Sequence, residues 1–283
     1  MAPRLFLEEK LGEKALTLLE DAAALLRVVP SVVETSEAIV RIPLLSLAPQ
    51  SRWDVLLTEE GILLQGKQAM PMIPWSDARH LLKLPKIHME PNRKAGTKAQ
   101  KYWLVVVLDR AFTVGKQQHR CLVVNLNTKS RSEKPVLGSK ANGERGARCS
   151  QVLEEVKDMA EDIMVTRLFE ACLEQKAIEP QQSVCALEGA QAWAERAEGV
   201  VFPLHVGLIF LPKPALFVAA EDILEAQAGT GRGPRGGDLI IHRTSGGAPV
   251  KFENVAGAPP RSSGFCTIRI LEGTWVMEKV EIT

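Results

Sequence analysis

Apolar residues fall along this chain in two textures, helical at the start and strand-like after it. In Leu5–Val29 the positions Leu11, Ala15, Leu18, Leu19, Ala22, Leu25 and Leu26 recur at helical spacing, and Pro30 ends the pattern. This predicts an N-terminal helical segment over residues 1–36. From Glu37 onward short apolar runs alternate with turn residues. AIVRIPLLSL, RWDVLLT, GILLQGK and MPMIPW follow one another, each long enough for one strand, and Tyr102–Leu108 and His119–Leu126 add two more. Asn127–Arg148 is polar, lacks periodicity and reads as a loop. Ser150–Lys176 then predicts one long amphipathic helix. Its stripe is Val152, Val156, Met159, Ile163, Val165, Leu168, Phe169 and Cys172, and acids load its first half.

Strands followed by one helix describe a small barrel with a helical cap. After a linker around Pro180 the strand texture returns in Gly199–Leu204, Gly207–Leu211, Ala215–Ala219, Asp238–Ile241 and Val250–Phe252, with Gly229–Gly237 as a loop. Ser262–Thr283 alternates like a strand where a second capping helix would be expected. The chain is thus expected to be mainly β with capping helices. Its predicted units are the helical segment at 1–36, a first domain at 37–179 ending in a long helix, and a second at 180–283.

Composition narrows the function. Of 283 residues, 46% are hydrophobic and 24% charged, which is globular rather than disordered. Five scattered cysteines without a CxxC pair fit a reducing compartment better than a disulfide framework or a zinc site. The N-terminus has no secretory h-region. The longest apolar run, Val200–Ala220, is interrupted by Pro203, His205, Pro212, Lys213 and Pro214, so a soluble intracellular protein without a membrane span is expected. No phosphate-binding glycine loop, nucleophile elbow or paired-histidine motif occurs. His80, His88, His119, His205 and His242 stand alone, and Cys266 with His242 makes no case for a nucleophile. Neither an enzyme nor a cofactor is expected.

Charge is unevenly placed. Arg79–Lys101 holds seven Lys or Arg against Glu90 alone, and Lys116–Arg148 holds eight against two acids. Clustered cations on loops suit phosphate contact through counterion release. The expected contacts are Lys83, Lys86, Arg93, Lys94, Lys98 and Lys101, with Lys213, Arg232 and Arg235 as a second patch. Aromatic residues are too few, at 5%, for a base-stacking platform. Trp53, Trp75 and Trp103 fall in strands and are expected in the core, whereas Trp193 falls in a region read as linker helix.

Several segments carry a family resemblance. Arg52-Trp53-Asp54, Leu64-Gln65-Gly66-Lys67 and Ile73-Pro74-Trp75 resemble the middle domain of the smaller subunit of the FACT histone chaperone, the Pob3 type. Tyr102–Val124 is similar to the strand and hairpin that follow there. Phe202-Pro203-Leu204, Gly207, Lys213-Pro214 and Glu221-Asp222-Ile223 are similar to the second-domain signature of the tandem-barrel histone chaperones. The resemblance spans Glu8 to Val255. It implies tandem pleckstrin-homology-like β-barrels in a nuclear, chromatin-associated protein that binds core histones and double-stranded DNA during transcription and replication. The family's dimerisation domain, acidic tail and HMG box have no counterpart here, which leaves a large FACT subunit an open partner. Two other readings remain: a phosphoinositide-binding adaptor, and a scaffold that binds peptides of replication or transcription factors.

Overall fold

The computed structural model describes residues 38–48, 51–66, 72–86, 101–114, 117–129, 133–139, 141–180, 189–229, 236–256, 265–271 and 274–280. The helix expected over 1–36 lies outside them, as do Lys67, Arg93, Lys94, Lys98, Arg232 and Arg235.

Two sheets repeat one plan. The first contains β1 (Val40–Ala48), β2 (Ser51–Leu57), β3 (Gly61–Gln65), β4 (Ile73–Pro74), β5 (Ala78–Pro85), β6 (Lys101–Val114) and β7 (Gln117–Asn127), in the order β4-β3-β2-β1-β7-β6-β5. A two-residue strand, β8 (Val136–Leu137), pairs with β1. The second contains β9 (Ala190–Ala194), β10 (Ala197–Leu204), β11 (Gly207–Leu211), β12 (Leu216–Ala219), β13 (Ile223–Gly229), β14 (Gly236–Arg243) and β15 (Val250–Ala256), in the matching order β12-β11-β10-β9-β15-β14-β13. In each sheet the first strand pairs with both the second and the seventh, which curls the sheet toward a barrel. A 3-10 turn follows the fourth strand in both, at Trp75–Asp77 and Ala220–Asp222. The fold is mainly β and pleckstrin-homology-like, with a helical cap.

Burial explains the strand texture. Along β6, Leu104, Val106 and Leu108 enter the first core, where Ile42, Val55 and Phe169 also lie. The alternate residues Trp103, Val105 and Val107 point the other way, and so do Leu82, Leu84, Cys121 and Val123. They meet Val200, Phe202, Leu204, Ile209 and Leu211 of the second sheet in a shared apolar layer. A strand buried on both faces reads as a continuous apolar run, which is why YWLVVVL shows no alternation. Val201, Leu208 and Phe210 complete the second core with Phe252. One three-core stack therefore joins the two barrels.

The cap differs from its expectation. Ser150–Lys176 is not one helix but the end of α1 (Glu144–Val156) and the whole of α2 (Glu161–Leu173). Ala160 is extended between them, and Glu161 and Asp162 occupy the first turn of a new helix, where acid complements the macrodipole. The break shifts the helical phase, so Val152 and Val156 pack inward while Met159 and Ile163 of the predicted stripe are exposed. The loop expected over Asn127–Arg148 contains β8 and the start of α1. Trp193 lies on strand β9 rather than a helix, facing outward.

The strand reading of the C-terminal stretch holds. β16 (Phe265–Leu271) and β17 (Thr274–Val280) form a hairpin that adds to β13 through Ala226↔Ile268 and Gln227↔Thr267. The missed strands include β5 (ARHLLKLP), which has no β-branched residue, β9, which is Ala-rich (AQAWA), and β13 (ILEAQAG), whose one β-branched residue gave little signal.

Gly207 shows how tightly the second sheet is drawn. Its φ is +143°, and a Cβ there would stand 2.2 Å from the Val218 carbonyl oxygen. Gly207→Ala is expected to cost about 2–3 kcal/mol by combining steric conflict with a disfavoured backbone. Denaturant unfolding checks this; an unchanged midpoint would mean that the β11–β12 approach relaxes freely.

Candidate nucleic-acid interface

The expected phosphate contacts separate once they are placed on the barrel. β5 presents Leu81 to the first core and Leu82 and Leu84 to the shared layer. Lys83, on the same side as Leu81, reaches the barrel mouth, where its Nζ lies 3.0 Å from Asp162 of α2 and 3.9 Å from Glu179. The ammonium also stands over the Tyr102 ring, 4.7 Å from its centroid. Glu161 closes the same mouth by accepting hydrogen bonds from the Asn127 backbone N–H (3.1 Å) and side-chain amide (3.2 Å). Lys83 thus anchors the cap.

Lys86 is buried as well. Its ammonium donates to Asn125 and lies 5.0 Å from the centroid of the Trp103 ring. Burial, with a smaller contribution from Lys101, pushes its pKa down to about 8. A lysine whose folded pKa lies below its unfolded value holds fewer protons folded than unfolded between those two values. Lys86 therefore makes stability rise with pH from about 8 toward the ordinary lysine range near 10.5. Lys86→Met is expected to remove that rise, so the variant gains most over the parent below pH 8. Urea unfolding of both proteins across pH 7–10 measures it, and parallel curves would contradict it.

Around these buried lysines lies a more accessible group. Lys101 begins β6, is exposed and pairs in register with Asn127, the last residue of β7 and two before exposed Lys129. The Lys86 backbone N–H donates to the Lys101 carbonyl (2.9 Å), closing the strand ends from which residues 87–100 depart. The two basic stretches of the sequence therefore meet at one end of the first barrel. Lys101 and Lys129 have no ion pair among the described residues. Other cations of the second stretch are engaged: Arg145 donates to the Cys172 carbonyl (2.9 Å), Arg148 to Ala171 (3.3 Å) and Glu174 (2.6 Å), and Lys134 pairs with Asp158 (2.8 Å).

Lys213 stands elsewhere, exposed at the turn between β11 and β12. Its charge reaches His119 on β7, beside exposed Arg120, so it joins the opposite end of the first barrel's long strands. His80 and His119 both titrate below the ordinary histidine value, first because of burial and then because of Arg79 and Lys213 respectively. At neutral pH the charge of this junction is carried by Arg120 and Lys213. Sequence reasoning missed Lys129 and Arg120 as site residues, although their basic stretch was visible; only the strand register shows which of its cations remain free.

The signature residues have structural roles. Arg52 is exposed, Trp53 lies against Gly66 where any Cβ would collide with its ring, and Asp54 accepts from Arg41 Nε at 3.0 Å. Pro74 leads into the 3-10 turn, and the Trp75 indole N–H donates to the Thr58 carbonyl at 2.9 Å. Pro203 pairs with Leu208 in β10–β11, and Pro214 stands in the turn beyond β11. Asp222 accepts from the Ser245 backbone N–H (3.0 Å), Arg243 (2.6 Å) and the Thr244 hydroxyl (3.1 Å), and hydrogen bonding from Ser245 first, then from Arg243, holds its carboxyl well below the usual range. It clamps the second 3-10 turn to the end of β14.

Among the described residues no group of His, Cys, Asp and Glu is placed to hold a metal ion, and no helix is long and apolar enough to cross a membrane. No family model matches the chain. Two curated proteins do. The FACT complex subunit pob3 of Aspergillus oryzae is 25% identical over 219 residues, covering 75% of this chain and 36% of that protein. POB3 of Candida albicans, also a FACT complex subunit, is 24% identical over 226 residues, covering 77% of this chain and 40% of its own length. The chain spans well under half the length of either relative. Over about three quarters of its own length it is similar to FACT complex subunits of the Pob3 kind.

Proposed function

We propose that this chain is a histone-chaperone module of the FACT small-subunit kind, acting on chromatin in the nucleus and touching DNA through the cationic end of its first barrel. The similarity to Pob3 subunits carries the reading, because 219 matched residues exceed either barrel alone and must run across both. Lys101 and Lys129 frame the root of the segment that holds Arg93, Lys94 and Lys98, so free cations from two stretches converge there. Arg120 and Lys213 supply a second contact, with Arg232 and Arg235 on a nearby part of the sequence. Core histones are basic and call for acid. Glu221 pairs with Arg79 and Asp222 with Arg243, and the cap's acids are engaged as well, for example Asp158 with Lys134 and Glu174 with Arg148; the excess of charge, eight acids against three bases over Ser150–Pro180, is what favours the cap as the histone surface. A large FACT subunit would be a further partner.

The peptide-scaffold alternative loses strand addition at two edges and keeps it at β4, β12 and β17, the terminal strands of their sheets. Adding a strand requires a free sheet edge. The β5 edge is already taken by Ile178, which exchanges backbone hydrogen bonds with Leu81 and Lys83, and the β13 edge is taken by β16.

The test is binding to core histones and to a short DNA duplex across salt. Lys101→Glu/Lys129→Glu and Lys94→Glu/Lys98→Glu are each expected to weaken DNA binding and to lower the salt slope by roughly 1–2. Histone binding should survive in both. Binding to neither histones nor DNA would overturn the proposal, and binding to phosphoinositide vesicles instead would favour the adaptor reading.

A further inference from the structure

The cap holds a pair of sulfurs that the proposed function does not use. Cys149 lies inside α1 and Cys172 near the end of α2, 23 residues apart in sequence, and their Sγ atoms stand 3.2 Å apart. Both side chains are buried. Two thiols this close share a hydrogen bond, and only about 1 Å of further approach separates them from a disulfide bond length. Cys121 is buried in the layer between the barrels, and burial pushes its thiol up to about 12. That cysteine is inert at physiological pH.

The surroundings of Cys149 are of the opposite kind. Hydrogen bonding from Cys172 draws its thiol below the ordinary value, and the Arg148 and Arg145 guanidinium groups act in the same direction. Cys172 is pushed up, first by its hydrogen bond with Cys149 and then by burial. The same two arginines bind the Cys172 and Ala171 carbonyls at the end of α2, so they fix the helices at the level of the sulfurs. An open groove of about 420 Å³ runs alongside, lined by Arg148 and Val152 of α1, Ala171 of α2 and Glu174 just past its end. These residues adjoin the two cysteines in sequence, while both sulfurs are fully buried, so a small disulfide reaches them only when the helix surface between groove and sulfurs opens.

We propose that Cys149 and Cys172 form a covalent modification site, a dithiol that low-molecular-weight disulfides oxidise to an intramolecular disulfide. The Cys149 thiolate attacks one sulfur of the small disulfide, forming a mixed disulfide and releasing one thiolate. That thiolate takes the Cys172 proton. The Cys172 sulfur then attacks Cys149 Sγ, the Cys149 Sγ–Cys172 Sγ bond forms, and the second small thiolate leaves and takes from solvent the proton that Cys149 gave up. Two protein thiols and one small disulfide give one protein disulfide and two small thiols. The bond ties α1 to α2 and closes a loop that includes both cap helices' junction.

The experiment treats the folded chain with oxidised glutathione, followed by peptide mapping under non-reducing conditions. A Cys149–Cys172 cross-linked peptide is expected, with Cys121 still a free thiol, and with a Tm higher by several degrees in the oxidised protein because the bond constrains the unfolded chain. Cys172→Ser should stop at the mixed disulfide on Cys149, and Cys149→Ser should give no modification in the cap; circular dichroism confirms that each variant is folded. Three results would overturn the proposal: no cross-link in the folded protein, a cross-link that appears only in denaturant, or a bond that lowers Tm.

Discussion

Trp103→Ala is expected to lower stability by about 3–5 kcal/mol and to break unfolding into separate transitions for the two barrels. Trp103 is among the largest fully buried side chains, yet it belongs to neither barrel's own core. It packs edge-on against Phe202, with ring centroids 6.1 Å apart and planes at 80°, a geometry that aromatic quadrupoles favour. Removing it leaves a cavity bounded by both sheets, and the sheets can part rather than collapse into it. The first and second cores keep their own residues, such as Phe169 and Phe252, so each barrel retains a reason to fold. Calorimetry would detect two heat-absorption peaks where the parent shows one. A single transition with an ordinary loss of stability would mean that the shared layer does not couple the barrels. Phe202→Ala should act in the same way, and the double variant should cost less than the sum because both remove one contact.

This layer also sets how much could be read from the sequence. The strand runs and the repeated barrel were legible because the turn residues stand out and because strands such as β1, β7 and β10 carry valine, isoleucine or leucine runs. The second buried face was not. YWLVVVL carries the same letters whether it faces solvent, a ligand or another sheet, and only the contacts of Trp103, Val105 and Val107 distinguish these. The cap was misread for a related reason: Met159 and Ile163 continue a helical period across a break that is marked only by Lys157-Asp158-Met159-Ala160, none of them a strong helix breaker. At the candidate interface, net charge located the right region but not the right residues. Lys83 and Lys101 belong to one basic stretch, yet strand alternation sends the first inward to Asp162 and leaves the second exposed.

The pair made by Lys83 gives the second large prediction. Lys83→Ala is expected to destabilise the protein by about 3–5 kcal/mol, since it leaves a carboxylate without its cation in a buried place. The side chains of Lys83 and Asp162 are only 13% and 7% exposed, and Asp162 Oδ1 has no hydrogen-bond partner even in the intact protein. Glu179, 3.9 Å from Lys83 and open to solvent, offers Asp162 no compensation. Replacing both members removes the unpaired charge, so Lys83→Met/Asp162→Leu should recover most of the loss and could exceed the parent. The double-mutant cycle, measured by urea unfolding, should therefore give strong coupling. This separates the structural role from the phosphate contact first expected of Lys83. A structural lysine predicts that the repaired double variant binds DNA as the parent does, despite having lost the positive charge. If Lys83 contacts phosphate instead, Lys83→Ala should leave stability nearly unchanged while weakening DNA binding, and the double variant should bind no better.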